Sequence, residues 1–332
     1  MSAMKKNINV GVFFGSRSPE HDVSIITGQL IISELKKIGY EVTPVYLSKE
    51  GKWYINPKLG TLKFFTNPEK ENELKKLNSW QLELSASSGK MTFKSDGLIQ
   101  KKVMIDLAFP AFHGANGEDG TIQGLFELIN VPYVGCDVLS SALSMDKAAT
   151  KLIYRSEGIQ TTNFLYFNRA DWDVKRDDLM SSVNDLRWPV FVKPARLGSS
   201  IGITKVKDKN ELKNACEVAL HYDDKVIIEE SVENMSDITC AVIGNENRIP
   251  SLVQEAVFSG DHFNYEDKYL EDGGAQLGNA KNSLVIPANI SDEKTKEVQE
   301  LAVKIYKIFG CSGIARIDFL YEKFTQKVFA NE

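Results

Sequence analysis

The chain has 332 residues, 42% apolar and 26% charged, an ordinary globular balance with room for two or three domains. Its formal net charge of -5 argues against a nucleic-acid coat or an anionic membrane surface as the main partner. The four cysteines, Cys136, Cys216, Cys240 and Cys311, form no CxxC pair, so neither a disulfide framework nor a zinc site is expected. No stretch reaches transmembrane length and the N-terminus lacks a long apolar h-region, so a soluble cytoplasmic protein is expected.

In chain order, the apolar run over residues 7–14 reads as a buried parallel strand. A turn follows, where Ser18 can cap a helix with Pro19 at its first position. Helical spacing runs from Asp22 to Leu35, and a second strand lies near Tyr40–Leu47. This alternation predicts a doubly wound α/β domain. Residues 56–102, rich in Lys, Asn, Ser and Glu, read as a surface excursion with one hairpin and no chemistry. Beyond them come a strand at Val103–Phe109, a glycine-rich loop at His113–Gly120, a helix at Thr121–Ile129 and a short strand at Val131–Val134. Ser144 is expected to cap a helix from Met145 to Glu157. The middle region carries strands near Phe164–Phe167, Val190–Val192, Ile201–Lys205 and Val226–Glu229, with helices at 172–183 and 208–220. The last region has strands near 237–243 and 251–258, a polar loop at 259–283, a helix at 293–309, and strands at 313–321 and 326–331.

Four stretches can carry chemistry. In Val190–Gly202, Lys193 ends an apolar strand, and a turn holding Gly198, Ser199 and Ser200 leads into a second strand. Such a loop can fold over polyphosphate, with glycine admitting the backbone and lysine supplying charge. The same stretch reads equally as a serine-rich hairpin with an exposed lysine. Alternation places Arg316 and Asp318 on one face of a strand. If the last two strands pair, Asp318 nears Glu332, and two carboxylates beside a phosphate loop suit Mg²⁺. Arg316 there would suit an anionic intermediate, although alone the pair reads better as a surface ion pair. His113–Gly120 makes a substrate loop before a helix N-terminus, or an Asp119 cap beside a satisfied histidine. Asn264–Tyr269, inside the long loop, reads as a lid carrying lysine and tyrosine, or as a solvated charge run. No G-x-G-x-x-G follows the first strand and there is no G-x-S-x-G elbow.

Taken in order, SRSPEHDVS (16–24), AFHGANGEDGTIQG (111–124), SALSMDKAATK (141–151), WPVFVKPARLGSSIGI (188–203), VIIEE (226–230), YEDKY (265–269) and ARIDF (315–319) with the closing NE resemble the D-alanine–D-alanine ligase family over nearly the whole chain. The resemblance implies a three-domain ATP-grasp architecture with a Rossmann-like N-terminal domain, divided at residues 1–135, 136–229 and 230–332. ATP would lie between the second and third domains. The resemblance implies ATP and two Mg²⁺ as cofactors (Mn²⁺ as a substitute), D-alanine as substrate and a homodimer. It places Lys147, Lys193 and Lys268 on phosphate, Glu229 on the adenine side, Asp237 on ribose, Asp318 and Glu332 on Mg²⁺, and Arg316 on the tetrahedral intermediate. His113 would sit near the first substrate's carboxylate, and Glu20, Ser199 and Tyr269 would form a hydrogen-bonded set. Tyrosine at 269 goes with D-alanine as second substrate; D-lactate, D-serine or a non-catalytic nucleotide-binding remnant are the alternatives. The chain departs from the family at Ser16, where a second glycine is usual, and at Asp237, where glutamate is usual. The 233–236 loop is slightly long, and 273–279 is unusual. Past Asn331-Glu332 the family continues with a second asparagine and a T-x-P-G turn, so a truncated, poorly active and less stable chain is expected.

Overall fold

The computed structural model describes residues 8–256 and 284–332. They fall into two compact units, Met1–Ser141 and Ala142–Glu332.

The first unit is built on β1 (Asn9–Gly15), α1 (His21–Lys37), β2 (Glu41–Leu47), β3 (Trp53–Ile55), α2 (Leu62–Phe65), α3 (Lys70–Lys75), β4 (Trp80–Leu82), β5 (Met91–Ser95), β6 (Lys102–Ile105), β7 (Leu107–Pro110) and α4 (Thr121–Leu128). One seven-stranded sheet has the order β6-β5-β4-β3-β2-β1-β7. β1 runs parallel to β2 and β7, and the outer strands are antiparallel. β1 is buried on both faces because its residues divide between two cores. Val10, Val12 and Phe14 join Ile25 and Ile32 of α1, while Phe13 joins Phe93, Ile122 and Phe126.

Four expectations change here. Residues 56–102 are not a surface excursion: they supply β4 and β5, and Trp80, Met91 and Phe93 enter the core. Weak periodicity hid them because each strand is only 3–5 residues long. Ser18 does not cap α1. Glu20 holds that position, and the Ser18 hydroxyl instead accepts from the Glu20 amide at 3.1 Å. Val131–Val134 forms only an isolated bridge from Tyr133 to Ala108. The strand expected at Val103–Phe109 is divided at Asp106, whose carboxylate accepts from the Asn9 amide at 2.8 Å.

Past α5 (Val138–Met145), the second unit contains α6 (Lys147–Ser156), β8 (Phe164–Asn168), α7 (Arg169–Ser182), β9 (Val190–Pro194), β10 (Thr204–Val206), α8 (Lys209–Tyr222) and β11 (Lys225–Glu230). These strands form an antiparallel sheet, β10-β9-β11-β8, over a core of Val190, Val192, Leu212, Cys216 and Val226. A second sheet, β15-β14-β12-β16-β17, comprises β12 (Met235–Ile243), β14 (Gln254–Ala256), β15 (Leu284–Val285), β16 (Ile314–Glu322) and β17 (Lys327–Ala330), with β13 (Ile249–Pro250) beside β12. Helix α9 (Asp292–Ile308) buries Val298, Ala302, Ile305 and Tyr306. Ser144 is not the cap of a helix from Met145. It lies inside α5, and Asp146 starts a separate helix.

Candidate active site

Asp146 sets the first part of the site. Its Oδ1 accepts from the amides of Ala148 and Ala149 at 3.1 and 3.0 Å, which caps α6. Its Oδ2 pairs with Lys225 Nζ at 2.8 Å. Burial alone would raise the Asp146 pKa, but Lys225 and the capped amides hold it below the ordinary value. With α6 starting there, Lys147 and Lys151 stand one turn apart among its buried residues. Lys147 Nζ donates to the Leu197 carbonyl at 2.8 Å and meets Glu332 Oε2 at 2.8 Å.

Lys193 sits where β9 gives way to the glycine-serine loop. Ser199 and Ser200 have φ of 54° and 59°, a left-handed conformation that costs a side-chain-bearing residue ~1–2 kcal/mol. A Cβ on Gly202 would lie 2.7 Å from Tyr222 Cδ2 and 2.8 Å from Pro194 Cγ, so glycine lets this loop close over the strand. Such strain in a loop that also ends on a lysine fits a loop built around a ligand.

Beneath the loop lies a buried charge cluster. Glu229, on β11, is 2% exposed; its Oε1 pairs with Lys193 Nζ and its Oε2 with Lys151 Nζ at 2.8 Å. The Thr162 hydroxyl donates to the same Oε2 at 2.8 Å. Lys151 Nζ also donates to Thr161 Oγ1 and Thr162 Oγ1 at 2.9 and 3.0 Å. Thr161 in turn donates to the Ala330 carbonyl at 2.8 Å, tying the cluster to the end of β17. Burial pushes the Glu229 carboxyl up, but Lys151 and Lys193 outweigh it and hold the group well below the usual carboxylate range. Burial dominates at Lys151 and lowers its pKa; at Lys193 the glutamate outweighs burial and raises it.

The acidic strand ends complete the second unit's contribution. Arg316 grips Asp318 through Nε at 2.7 Å and a terminal nitrogen at 2.8 Å, a two-point pair with the arginine 67% exposed. The register of β12 on β16 sets Thr239 opposite Asp318 and Ala241 opposite Arg316. Asp237, two residues before Thr239, therefore lies on the same face. The opposite face, with Ile238, Cys240, Ile317 and Phe319, is buried. Lys193 feels the fields of Glu332 and Asp237, so these groups share one electrostatic environment. Asp318 and Glu332 offer hard oxygen donors, and each already faces a cation, Arg316 or Lys147. That donor chemistry fits a divalent cation whose remaining ligands are phosphate and water. Among the described residues no three or more His, Cys, Asp or Glu side chains converge on one point.

The first unit brings together two stretches far apart in sequence. Gly114 has φ 66°, and a Cβ there would lie 2.1 Å from Glu20 Oε2, so the glycine loop lies directly against this carboxylate. His113 Nε2 lies 2.8 Å from the Thr27 hydroxyl, and Nδ1 lies 3.9 Å from Glu118 Oε1. Glu118 braces the loop by accepting from the Gly114 amide at 2.7 Å. Asp119 accepts from the Asn116 and Thr121 amides at 2.8 and 3.0 Å, leaving it a structural part.

Lys147, Lys193, Glu229, Asp318 and Glu332 thus converge within the second unit, with Arg316 and Asp237 on the acidic sheet face. Glu20 and His113 belong to the first unit. Lys268 and Tyr269 lie outside the described residues. Lys151, Thr161, Thr162 and Thr27 went unassigned in the sequence. Only Lys151 carried a signal, the four-residue spacing from Lys147 that puts both on one helix face.

Fold and site together define an ATP-grasp ligase with a Rossmann-like first unit. The family described as D-ala D-ala ligase N-terminus matches residues 9–136, and D-ala D-ala ligase C-terminus matches residues 153–332. The chain is 39% identical to the D-alanine–D-alanine ligase of Caldicellulosiruptor bescii over 98% of its own length and 85% of the relative's. It is 40% identical to that of Thermosipho africanus, covering 98% and 84%. Among solved structures, the VanG D-Ala:D-Ser ligase from Enterococcus faecalis superposes with a TM-score of 0.81 at 35% identity, covering 98% of this chain and 90% of that one. The D-alanine–D-alanine ligase from Coxiella burnetii gives 0.79 at 28% identity, covering 99% and 84%. The chain belongs to the D-alanine–D-alanine ligase family, whose members are ligases dependent on ATP and a divalent metal. Among the described residues no helix is long and apolar enough to cross a membrane.

Proposed function

We propose that this chain joins two D-alanines into D-alanyl-D-alanine, a building block of peptidoglycan precursors, at the cost of one ATP. The observation that carries the reading is the convergence of Lys147, Lys193, Glu229, Asp318 and Glu332, which are spread over nearly two hundred residues of sequence. Lys147 and Lys193 hold phosphate oxygens, with Gly198, Ser199 and Ser200 folded over them. Glu229 takes the adenine side and Asp237 the ribose. Asp318 and Glu332 would hold Mg²⁺, two ions in this reading, which would offset the charge that builds on the transferred phosphoryl group.

The chain's own residues then divide the work. His113 and the loop behind it orient the first D-alanine so that its carboxylate attacks the γ-phosphate and becomes an acyl phosphate. Arg316 faces the oxyanion formed when the second amine attacks that carbonyl. Glu20 serves the substrate side and Ser199 the phosphate loop; Lys268 and Tyr269, outside the described residues, keep the phosphate and hydrogen-bonding roles that the family resemblance implies. Exclusion of water from the site would protect the acyl phosphate from hydrolysis. No side chain forms a covalent bond to substrate. In this reading the polypeptide folds as three domains, 1–135, 136–229 and 230–332, and works as a cytoplasmic homodimer.

A second reading puts D-serine or D-lactate in the second position, and the likeness to the Enterococcus faecalis structure favours D-serine among these. One assay separates the readings. Phosphate release from ATP and Mg²⁺ is followed with D-alanine alone, with L-alanine, and with D-alanine plus D-serine or D-lactate. The proposal requires release and dipeptide from D-alanine alone. Release that needs D-serine or D-lactate moves the assignment to the second reading, and no D-alanine dependence at all removes both.

A further inference from the structure

Lys193 is asked to hold phosphate, yet its ammonium is engaged by the buried carboxylate of Glu229. If Lys193 moved to a ligand without replacement, Glu229 would be left as a buried charge without a counter-ion, which costs several kcal/mol. A second cation is already in place. Lys151 Nζ sits 2.8 Å from the other carboxylate oxygen, and its side chain is 1% exposed. An ammonium has three donors. Those of Lys151 are spent on Glu229, Thr161 and Thr162. With no donor left and no opening to solvent, Lys151 is not placed to touch a ligand.

We infer that Lys151 is a positioning residue: it is the resident counter-ion of Glu229, and it frees Lys193 to leave that carboxylate for the phosphates of ATP. The inference rests on the ATP-site reading given above. Without Lys151, Glu229 has Lys193 as its only lysine partner among the described residues, and the nucleotide must compete with a buried ion pair for that ammonium. Thr162 strengthens the arrangement, because its hydroxyl accepts from Lys151 while donating to Glu229. Thr161 passes the same anchor to the Ala330 carbonyl, beside the strand end that bears Glu332.

The test is calorimetric binding of a non-hydrolysable ATP analogue with Mg²⁺ to the full chain and to Lys151→Met, Glu229→Gln and the double variant, with thermal melts as a check on folding. Lys151→Met should weaken binding about tenfold, equivalent to ~1.4 kcal/mol. In the Glu229→Gln background, where no carboxylate competes for Lys193, Lys151→Met should have no further effect. A merely structural lysine would lower affinity equally in both backgrounds, and that result overturns the inference, as does wild-type affinity in Lys151→Met. If Lys151→Met alone does not fold, Glu229→Gln against the double variant still decides: equal affinities support the inference and a further loss overturns it. An unaltered chain that fails to bind the analogue removes the ATP-site reading itself and this inference with it, whereas tight binding by every variant removes the inference alone.

Discussion

The Asp318 amide donates to the Glu332 carbonyl at 2.6 Å, while the Asp318 carbonyl accepts from both Asn331 and Glu332 amides, at 2.9 and 3.3 Å. The two residues after β17 therefore face one residue of β16, in the pattern of a β-bulge. In unbroken register, continuing from Phe319 opposite Ala330, Glu332 would stand across from Ile317 and share its buried face. The bulge turns Glu332 toward the Asp318 face, where it meets Lys147. A double-mutant cycle of Lys147→Met and Glu332→Gln, read by urea unfolding without nucleotide, should show a coupling of about 1 kcal/mol. Additive effects would mean that the pair does not exist in solution. Glu332→Gln should also raise the Mg²⁺ concentration for half-maximal ATP cleavage about tenfold, or ~1.4 kcal/mol.

Asp146 joins the helix cap to an ion pair, so Asp146→Ala should destabilise the protein by about 1–2 kcal/mol. The pH dependence has a defined sign. Because the folded-state pKa is lowered, the carboxylate's contribution is present above the unfolded value near ~4 and is lost as pH falls below it. Urea midpoints for wild type and Asp146→Asn should therefore differ at pH 7 and approach each other at pH 3. A gap that stays constant across that range would show that Asp146 does not titrate as the structure implies.

Gly114→Ala places a Cβ 2.1 Å from Glu20 Oε2 at a residue with φ 66°. Either the loop or Glu20 must move. Turnover with D-alanine should fall at least about tenfold, since small misplacements at a reacting centre are costly. Comparison of kcat and ATP KM locates the damage: a loss confined to ATP KM would contradict the placement of Glu20 on the substrate side.

Ser16 is buried at φ 82°, and its hydroxyl has no hydrogen-bond partner among the described residues. Its amide donates to Leu47 and its carbonyl meets His21 Nδ1 at 2.6 Å, so the backbone cannot relax. Ser16→Gly relieves left-handed strain and removes an orphaned hydroxyl. Stability should rise by about 1 kcal/mol, seen as a higher Tm. An unchanged or lower Tm would show that the serine contributes something these contacts omit.

The class of fold, the order of most elements and the residue types of the site were legible in the amino-acid sequence. Apolar runs buried on both faces, such as Val10–Phe14, announce a parallel strand through composition alone, whereas Lys193 at a strand end before glycine and serine suits a phosphate loop and a plain hairpin equally. Arg316 and Asp318 lie on one face because a strand has a period of two, and no partner strand is needed to say so. Short strands were not legible: Trp80–Leu82 has too few residues for a period, and its place comes from pairing with β3 and β5. Nor could the sequence choose between Ser144 and Asp146 as a cap, since both residue types cap helices and only the hydrogen bonds decide. For Lys151 the sequence shows only a spacing that shares a helix face with Lys147; its partners come from the tertiary structure. A lysine on an amphipathic helix reads as solvent-exposed until a glutamate from β11 and two threonines close around it, because burying that charge is possible only when distant parts of the chain supply every partner it needs.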